Sequence, residues 1–291
     1  LNSFLHIENA EVYVTGSNAY LLSSEMETLL SGRYVEIHVF PFSFAEYEKC
    51  FPEERNINKI FMKYINSSSF PEAVSLSVSA PEMERKYLEA IFDTVVIKDI
   101  SKRHSLRKTE MLQNLLSFMF DSIGSLTAAR NIAASLSKSG NEISHNTVAK
   151  YLDFFTESYL LYSAPRYDLK GKRLLSSNKK YYAVDLGLRN ILLANRHNTD
   201  FGHKIENVVY LELMRRHNSQ VYVGKNEDRE VDFMVQQPYG MRAYYQVSYT
   251  LMDAKTRERE LESLRRLNNS YPKVILTMDY EEDIVDGIKI R

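Results

Sequence analysis

Glu230-Val-Asp-Phe-Met-Val235, a turn at Gln237-Pro238-Tyr239, and Met241-Arg-Ala-Tyr-Tyr-Gln-Val-Ser248 form the stretch from which the fold is read. Two runs rich in β-branched and aromatic residues, separated by a proline-bearing break, predict a hairpin. With the turn centred there, residue 232 stands opposite about residue 244, which makes Asp232 and Gln246 diagonal neighbours on one face. On the N-terminal side, Ile205, Val208, Val209 and Leu213 recur at helical spacing over His203–Arg216, followed by a short strand at Val221–Val223. On the C-terminal side a charged helix spans about Asp253–Leu267, and Val274–Thr277 reads as a strand. The segment therefore has the order α-β-β-β-α-β.

Further out, the pattern changes twice. Three short helices are expected near Glu110–Asp121, after Gly124-Ser125, and from Ser144, a good N-cap. Strand-like runs at Tyr159–Tyr162 and Tyr181–Val184 then flank the basic Lys170-Gly-Lys-Arg173. Three helices and a hairpin are the order of a winged helix-turn-helix. Residues 1–47 read as α/β, with strands at Val12–Val14 and Tyr34–Phe40 and a helix near Ser24–Leu30. Ser43 is placed to cap a helix at Ala45–Cys50, and the region up to Asp99 is mostly helical, with breaks at Phe70-Pro71 and Ser79-Ala80-Pro81. The expected units are 1–100, 101–168 and 169–291. The chain opens without Met and almost directly on a strand, so further residues are expected upstream of Leu1.

The 291 residues carry 37 Lys+Arg against 38 Asp+Glu, a formal charge of −1. That balance excludes a polycationic coat protein but leaves room for local basic patches. Hydrophobic content of 44% with 26% charged residues excludes collagenous and wholly disordered classes. Cys50 stands alone, so neither an internal disulfide nor a cysteine-based zinc site can form. With no secretory signal and no apolar run long enough to span a bilayer, a cytoplasmic location is expected.

No Gly-x-x-x-x-Gly-Lys-[Ser/Thr] loop occurs, so this stretch cannot cradle a nucleotide's phosphates by itself. Even so, Val12-Tyr-Val-Thr-Gly-Ser-Asn18, Ser31-Gly-Arg33, Pro41-Phe-Ser-Phe-Ala-Glu-Tyr47, Ile143-Ser-His-Asn-Thr-Val148, Ala164-Pro-Arg-Tyr-Asp168, Tyr182-Ala-Val-Asp-Leu-Gly-Leu-Arg-Asn190, Glu230-Val-Asp-Phe233 and Gln246-Val-Ser-Tyr249 resemble, in order, one family. It is the prokaryotic AAA-type P-loop ATPases with a winged helix and a C-terminal PD-(D/E)XK nuclease-like domain of uncharacterised role. The resemblance implies an α/β and α+β multidomain chain: the tail of an ATPase core with its helical lid, a winged helix-turn-helix, and a restriction-endonuclease-like α-β-β-β-α-β domain. It also implies that ATP is bound through a P-loop lying before Leu1. Ser17 or Asn18 then matches the sensor that faces the γ-phosphate, and Arg33 the cation that neutralises it. A strand-end turn and a surface salt bridge are the plain alternatives for these residues.

Two further sites follow. His145, Asn146 and Lys150 lie on the polar side of the third helix, where such side chains meet base edges or phosphates, although Asp153 beside them would repel phosphate. Lys170, Lys172 and Arg173 suit a wing against phosphates, with Lys102, Arg103, Arg107 and Lys108 as a second basic cluster. In the last unit Glu206, Asp232 and Gln246 could furnish an oxygen-ligand site for Mg²⁺, with Glu206 and Asp232 as metal ligands. The nuclease pattern needs a lysine two positions after Gln246; Ser248 stands there, and Lys225 is the candidate substitute. Alternatively, Arg229 or Arg242 pairs with Asp232 in an inactive scaffold. The expected function is an ATP-dependent switch acting on nucleic acid, DNA first, as monomer or oligomer and away from membranes. The alternative is a non-catalytic adaptor whose terminal domain binds a protein.

Overall fold

A computed structural model describes residues 11–16, 35–104, 106, 109–138, 143–193, 200–217, 220–280 and 282–291. The expected helix near 24–30 lies outside them. Residues 11–16 and 35–40, expected as strands, carry no regular structure, and Val35 and Val39 are 87% and 85% exposed. β-structure exists through hydrogen bonds to a neighbouring strand, and among the described residues none lies beside these two segments.

The helical part begins at Ser43, whose side chain and that of Glu46 form a reciprocal capping box for α1 (Phe44–Glu48). α2 (Ile57–Tyr64), α3 (Pro71–Ser79) and α4 (Pro81–Phe92) follow, the last two each opening on the proline that broke the sequence pattern. α4 runs on into a π-helical stretch, Asp93–Ile100, and a single α-turn, Ser101–Arg103. α5 (Thr109–Asp121), α6 (Ala129–Lys138) and α7 (His145–Glu157) are the three short helices expected from the sequence. Their apolar stripes, including Leu112, Leu116, Ile132, Val148 and Phe155, are buried together with Tyr47 and Ile65 in one core.

β1 (Leu161–Asp168) and β2 (Arg173–Ala183) form the next hairpin, much longer than the two runs that announced it. Its register shifts between Ala164 and Arg166, where Pro165 has no N–H to donate. The hairpin is not a free wing. β1 is hydrogen-bonded in parallel to β3 (Val221–Asn226), so the expected boundary at 168/169 falls inside a continuous sheet. α8 (Leu186–Leu192) and α9 (Phe201–His217) separate the two strands in sequence. β4 (Arg229–Gln236), β5 (Arg242–Ser248), α10 (Ala254–Arg265), β6 (Lys273–Thr277), β7 (Asp283–Val285) and β8 (Ile288–Ile290) complete the chain. The eight strands run in the order β2-β1-β3-β4-β5-β6-β8-β7, a mixed sheet.

α9 packs on one face of this sheet through Tyr210, Leu213 and Met214 against Val223, Phe233 and Val235. α10 covers the other through Leu261 and Leu264 against Met234, Tyr244 and Ile275. Alternation along the strands thus buries both faces, which is why they read as near-continuous apolar runs. The expected α-β-β-β-α-β order is found from α9 to β6. Among the described residues no helix is long and apolar enough to cross a membrane.

The segment Tyr182–Asn190 ties the helical part to the sheet. Asp185 accepts hydrogen bonds from the Leu188 N–H, capping α8, and from the backbone N–H and hydroxyl of Ser69. Gly187 lies so close to the Ser68 backbone that a Cβ would collide with it. Arg189 is fully buried, donating to the Phe120 carbonyl at 2.6 Å and to Asp200 at 2.8 Å.

Candidate functional site

Asn207 on α9 clamps the end of β2. Its amide donates to the Ala183 carbonyl at 3.0 Å, and its oxygen accepts the Ala183 N–H at 2.7 Å. This two-point contact sets the preceding residue, Glu206, against β2. One oxygen, Glu206 Oε1, accepts from Tyr182 Oη at 2.7 Å and from Lys180 Nζ at 2.9 Å. The other packs on Gly124, whose positive φ of 71° suits glycine, and a Cβ there would stand 3.3 Å from Glu206 Oε2.

Lys180 is the centre of the arrangement. Its ammonium also meets Glu230 Oε1 at 2.7 Å and Asp232 Oδ1 at 3.8 Å. Asp232 is brought there by a bulge: Tyr222 pairs with Met234 and Gly224 with Val231, so Val223 alone faces both Asp232 and Phe233. Bulges of this kind re-aim side chains. The other carboxylate oxygen of Asp232 accepts the Val247 N–H at 2.8 Å, and Gln246 Oε1 accepts the Asp232 N–H at 3.2 Å. Phe233 pairs with Tyr245, two residues off the expected register, because the turn includes Tyr239 and Gly240, both at positive φ. Asp232 and Gln246 are therefore nearer than diagonal.

The cluster is closed. Lys180, Asp232 and Glu206 are 4%, 8% and 9% exposed. Burial disfavours the Lys180 ammonium, but Glu206, Asp232 and Glu230 outweigh it and raise its pKa, keeping it charged. Asp232 is raised well above the carboxylate range, chiefly by burial and then by the charge of Glu206; Lys180 and the Val247 N–H pull the other way. Tyr182 is likewise held protonated by burial beside Glu206.

The structure thus brings Glu206, Asp232 and Gln246 together. Lys225 sits opposite Glu230 in the β3–β4 register, but its ammonium makes none of the cluster's ion pairs. Neither arginine pairs with Asp232: Arg242 donates to Tyr167 Oη, and the cation beside Asp232 is Lys180. The Ser248 hydroxyl is bonded to the Thr250 carbonyl. The donor set does not fit a resident Mg²⁺, since an ammonium already lies between the carboxylates. Among the described residues no group of three His, Cys, Asp or Glu could hold a metal ion.

Lys180 lies outside the sequence motifs, and Tyr182 and Glu230, which open two of them, are not among the expected site residues. Their signal is the two-residue spacing of Lys180 with Tyr182 and of Glu230 with Asp232, which puts each pair on the same strand. Ser17, Asn18 and Arg33 lie outside the described residues, as do Arg107 and Lys108. His145, Asn146 and Lys150 are exposed on α7, as are Lys170, Lys172 and Arg173 at the β1–β2 turn. Among the described residues the two sets share no hydrogen bond or ion pair, and Lys170 pairs with Glu227 at 2.7 Å.

Comparison with known proteins gives a family. Residues 1–48 match an AAA domain, and residues 58–199 match a domain of unknown function (DUF8612). An uncharacterized protein of Haemophilus influenzae is 34% identical over 286 residues, covering 97% of this chain and 69% of that protein. An uncharacterized protein of Methanocaldococcus jannaschii is 28% identical over 299 residues, covering 94% of this chain and 65% of that protein. The chain thus spans about two thirds of the length of these relatives. No solved structure matches it significantly. The chain belongs to the same family as the Haemophilus protein, and the match over residues 1–48 supports an AAA-type ATPase family.

Proposed function

We propose that this chain is the portion of an AAA-type ATPase that acts on nucleic acid as an ATP-dependent switch, and that its sheet is a degenerate nuclease-like module that binds without cutting. The α9-β3-β4-β5-α10-β6 order supports the nuclease-like reading, and the three helices before the β1–β2 hairpin support the winged-helix one. Nucleotide binding would belong to the parent protein, with Ser17, Asn18 and Arg33 facing the phosphates.

The observation that carries the loss of cleavage is the place of Lys180. Its ammonium is 2.9 Å from Glu206 and 3.8 Å from Asp232, the two carboxylates a catalytic Mg²⁺ would need. An ion held there by the chain itself neutralises them, and their burial leaves a phosphodiester no approach. A lysine whose pKa is raised also cannot accept a proton from water at neutral pH.

Calorimetric titration of Mg²⁺ and Mn²⁺ tests this. The wild-type chain is expected to give no binding heat and to leave labelled DNA intact. Metal heat abolished by Asp232→Ala, accompanied by strand cleavage, would overturn the non-cutting reading. Retarded DNA migration at low salt, weakening as salt rises, is the outcome expected for nucleic-acid action. A chain that retards no DNA at low salt would favour the protein-binding adaptor.

A further inference from the structure

Away from the carboxylate cluster, a groove of about 740 Å³ opens between the β1–β2 turn, the β3–β4 turn, the start of β5 and the segment after α10. Four cations line it, Lys170, Lys172, Arg242 and Arg266, against the single carboxylate of Glu227. In a chain whose formal charge is −1, this is a concentrated positive field. Its counter-charges are weak. Glu227 meets Lys170 where both side chains are more than half exposed, and Arg266 meets Glu262 at 2.8 Å and Asp228 at 3.4 Å on the exposed surface. Exposed pairs of this kind contribute little and are readily exchanged for a stronger anion. Lys172 is exposed, with a φ of 51° that holds it at the tip of the turn.

The remaining lining supplies polar amides and a ring. Asn268 presents an exposed amide, Asn226 and Asn269 are half-buried and donate to the Arg266 carbonyl and the Tyr244 hydroxyl, and Tyr271 is only partly buried. Arg242 is braced from behind, its guanidinium 5.1 Å from the Tyr167 ring centroid and donating to Tyr167 Oη at 3.0 Å. A braced guanidinium, exposed lysines, an amide and a partly exposed aromatic ring are the chemistry that tracks a phosphodiester backbone and stacks a base. The surface is recessed, whereas duplex grooves are entered by a projecting helix or ribbon.

We infer that this groove binds a single nucleic-acid strand through its phosphates. The inference rests on the nucleic-acid reading above and gives that reading a surface that the sequence motifs did not: two residues expected in a DNA-touching wing, Lys170 and Lys172, instead line one groove with arginines from β5 and from the end of α10. The occupant is a polyanion with planar bases, and not an acidic peptide, because the ring offers a stacking face that carboxylates do not use.

The test is fluorescence anisotropy of a labelled oligothymidine strand titrated with the full chain, with a labelled duplex in parallel. The double variant Lys172→Gln/Arg266→Gln alters two exposed side chains, so the fold, checked by circular dichroism, is expected to persist. The strand should bind about tenfold more weakly to the variant. The slope of log affinity against log salt should also fall by about 0.7 for each phosphate that the variant leaves unneutralised. Unchanged strand binding in the variant would overturn the groove while leaving nucleic-acid action intact, and Lys150→Gln would then be expected to weaken binding instead. Failure of the wild-type chain to bind strand or duplex at low salt would sink the nucleic-acid reading itself. Displacement of the strand by polyglutamate at equal charge would overturn the inference in favour of an acidic protein partner.

Discussion

Lys180 Nζ lies 2.9 Å from Glu206 Oε1, joining the outermost strand of the sheet to the helix that covers it. One buried ammonium thereby serves three carboxyl groups, Glu206 and Glu230 as anions and Asp232, which burial pushes toward its protonated form. Such a cluster contributes little over an apolar core when intact, but removing one partner leaves uncompensated charge in the interior.

Lys180→Met should therefore destabilise the chain by about 3–5 kcal/mol, the cost of breaking a buried ion pair from one side. Denaturant unfolding followed by far-ultraviolet circular dichroism measures it. A loss below about 1 kcal/mol would mean that the carboxylates find water or protons with ease.

The same ammonium sets a pH dependence. Its folded pKa is raised above the ordinary 10.5. The stability it contributes is thus fully present below pH 10.5 and is lost only as pH rises through the higher folded value. Wild type should keep its advantage over Lys180→Met through neutral pH, and the two should converge only in strong alkali. Stability curves of the two proteins against pH would show this. A gap that closes between about pH 7 and 9 would contradict it.

Asn207→Ala should cost about 1–3 kcal/mol for each Ala183 backbone group left without a partner. Because Asn207 also sets the position of Glu206, hydrogen exchange at the end of β2 should quicken along with the fall in unfolding midpoint. A global loss with no local quickening would show that the clamp does not position β2.

Gly187→Ala is expected to be severe. The added methyl meets the Ser68 main chain, which cannot rotate away as a side chain could. Overpacking of this kind typically costs about 1–3 kcal/mol, and a backbone obstacle puts it at the upper end. Thermal melting tests it, with Ser68→Gly as a control that leaves the obstructing main chain in place and should give no rescue.

The helices α1 and α4 to α7 and the strands β3 to β6 are legible in the sequence because their signals are local. Ser43 and Ser144 announce their helices as N-caps, and Pro81 marks a first turn. The residues Glu206, Asp232 and Gln246 are legible through spacing and type. Lys180 is not, because the apolar strand signal begins only at Tyr181, and nothing local says that β2 continues back to Arg173.

The amino-acid sequence by itself determined where the three short helices α5 to α7, the flanking α9 and α10 and the strands β3 to β6 lie, and that acids on α9 and β4 could meet. Hydrophobic period and capping chemistry act within a few residues, so they are written where they act. Only the tertiary structure decided that the β1–β2 hairpin joins the sheet instead of standing free, and that a lysine from its outer strand lies between the carboxylates. Strand pairing across long separations depends on hydrogen-bonding edges that any strand offers alike, so its partner is chosen by packing of the whole chain and not by the residues of either strand.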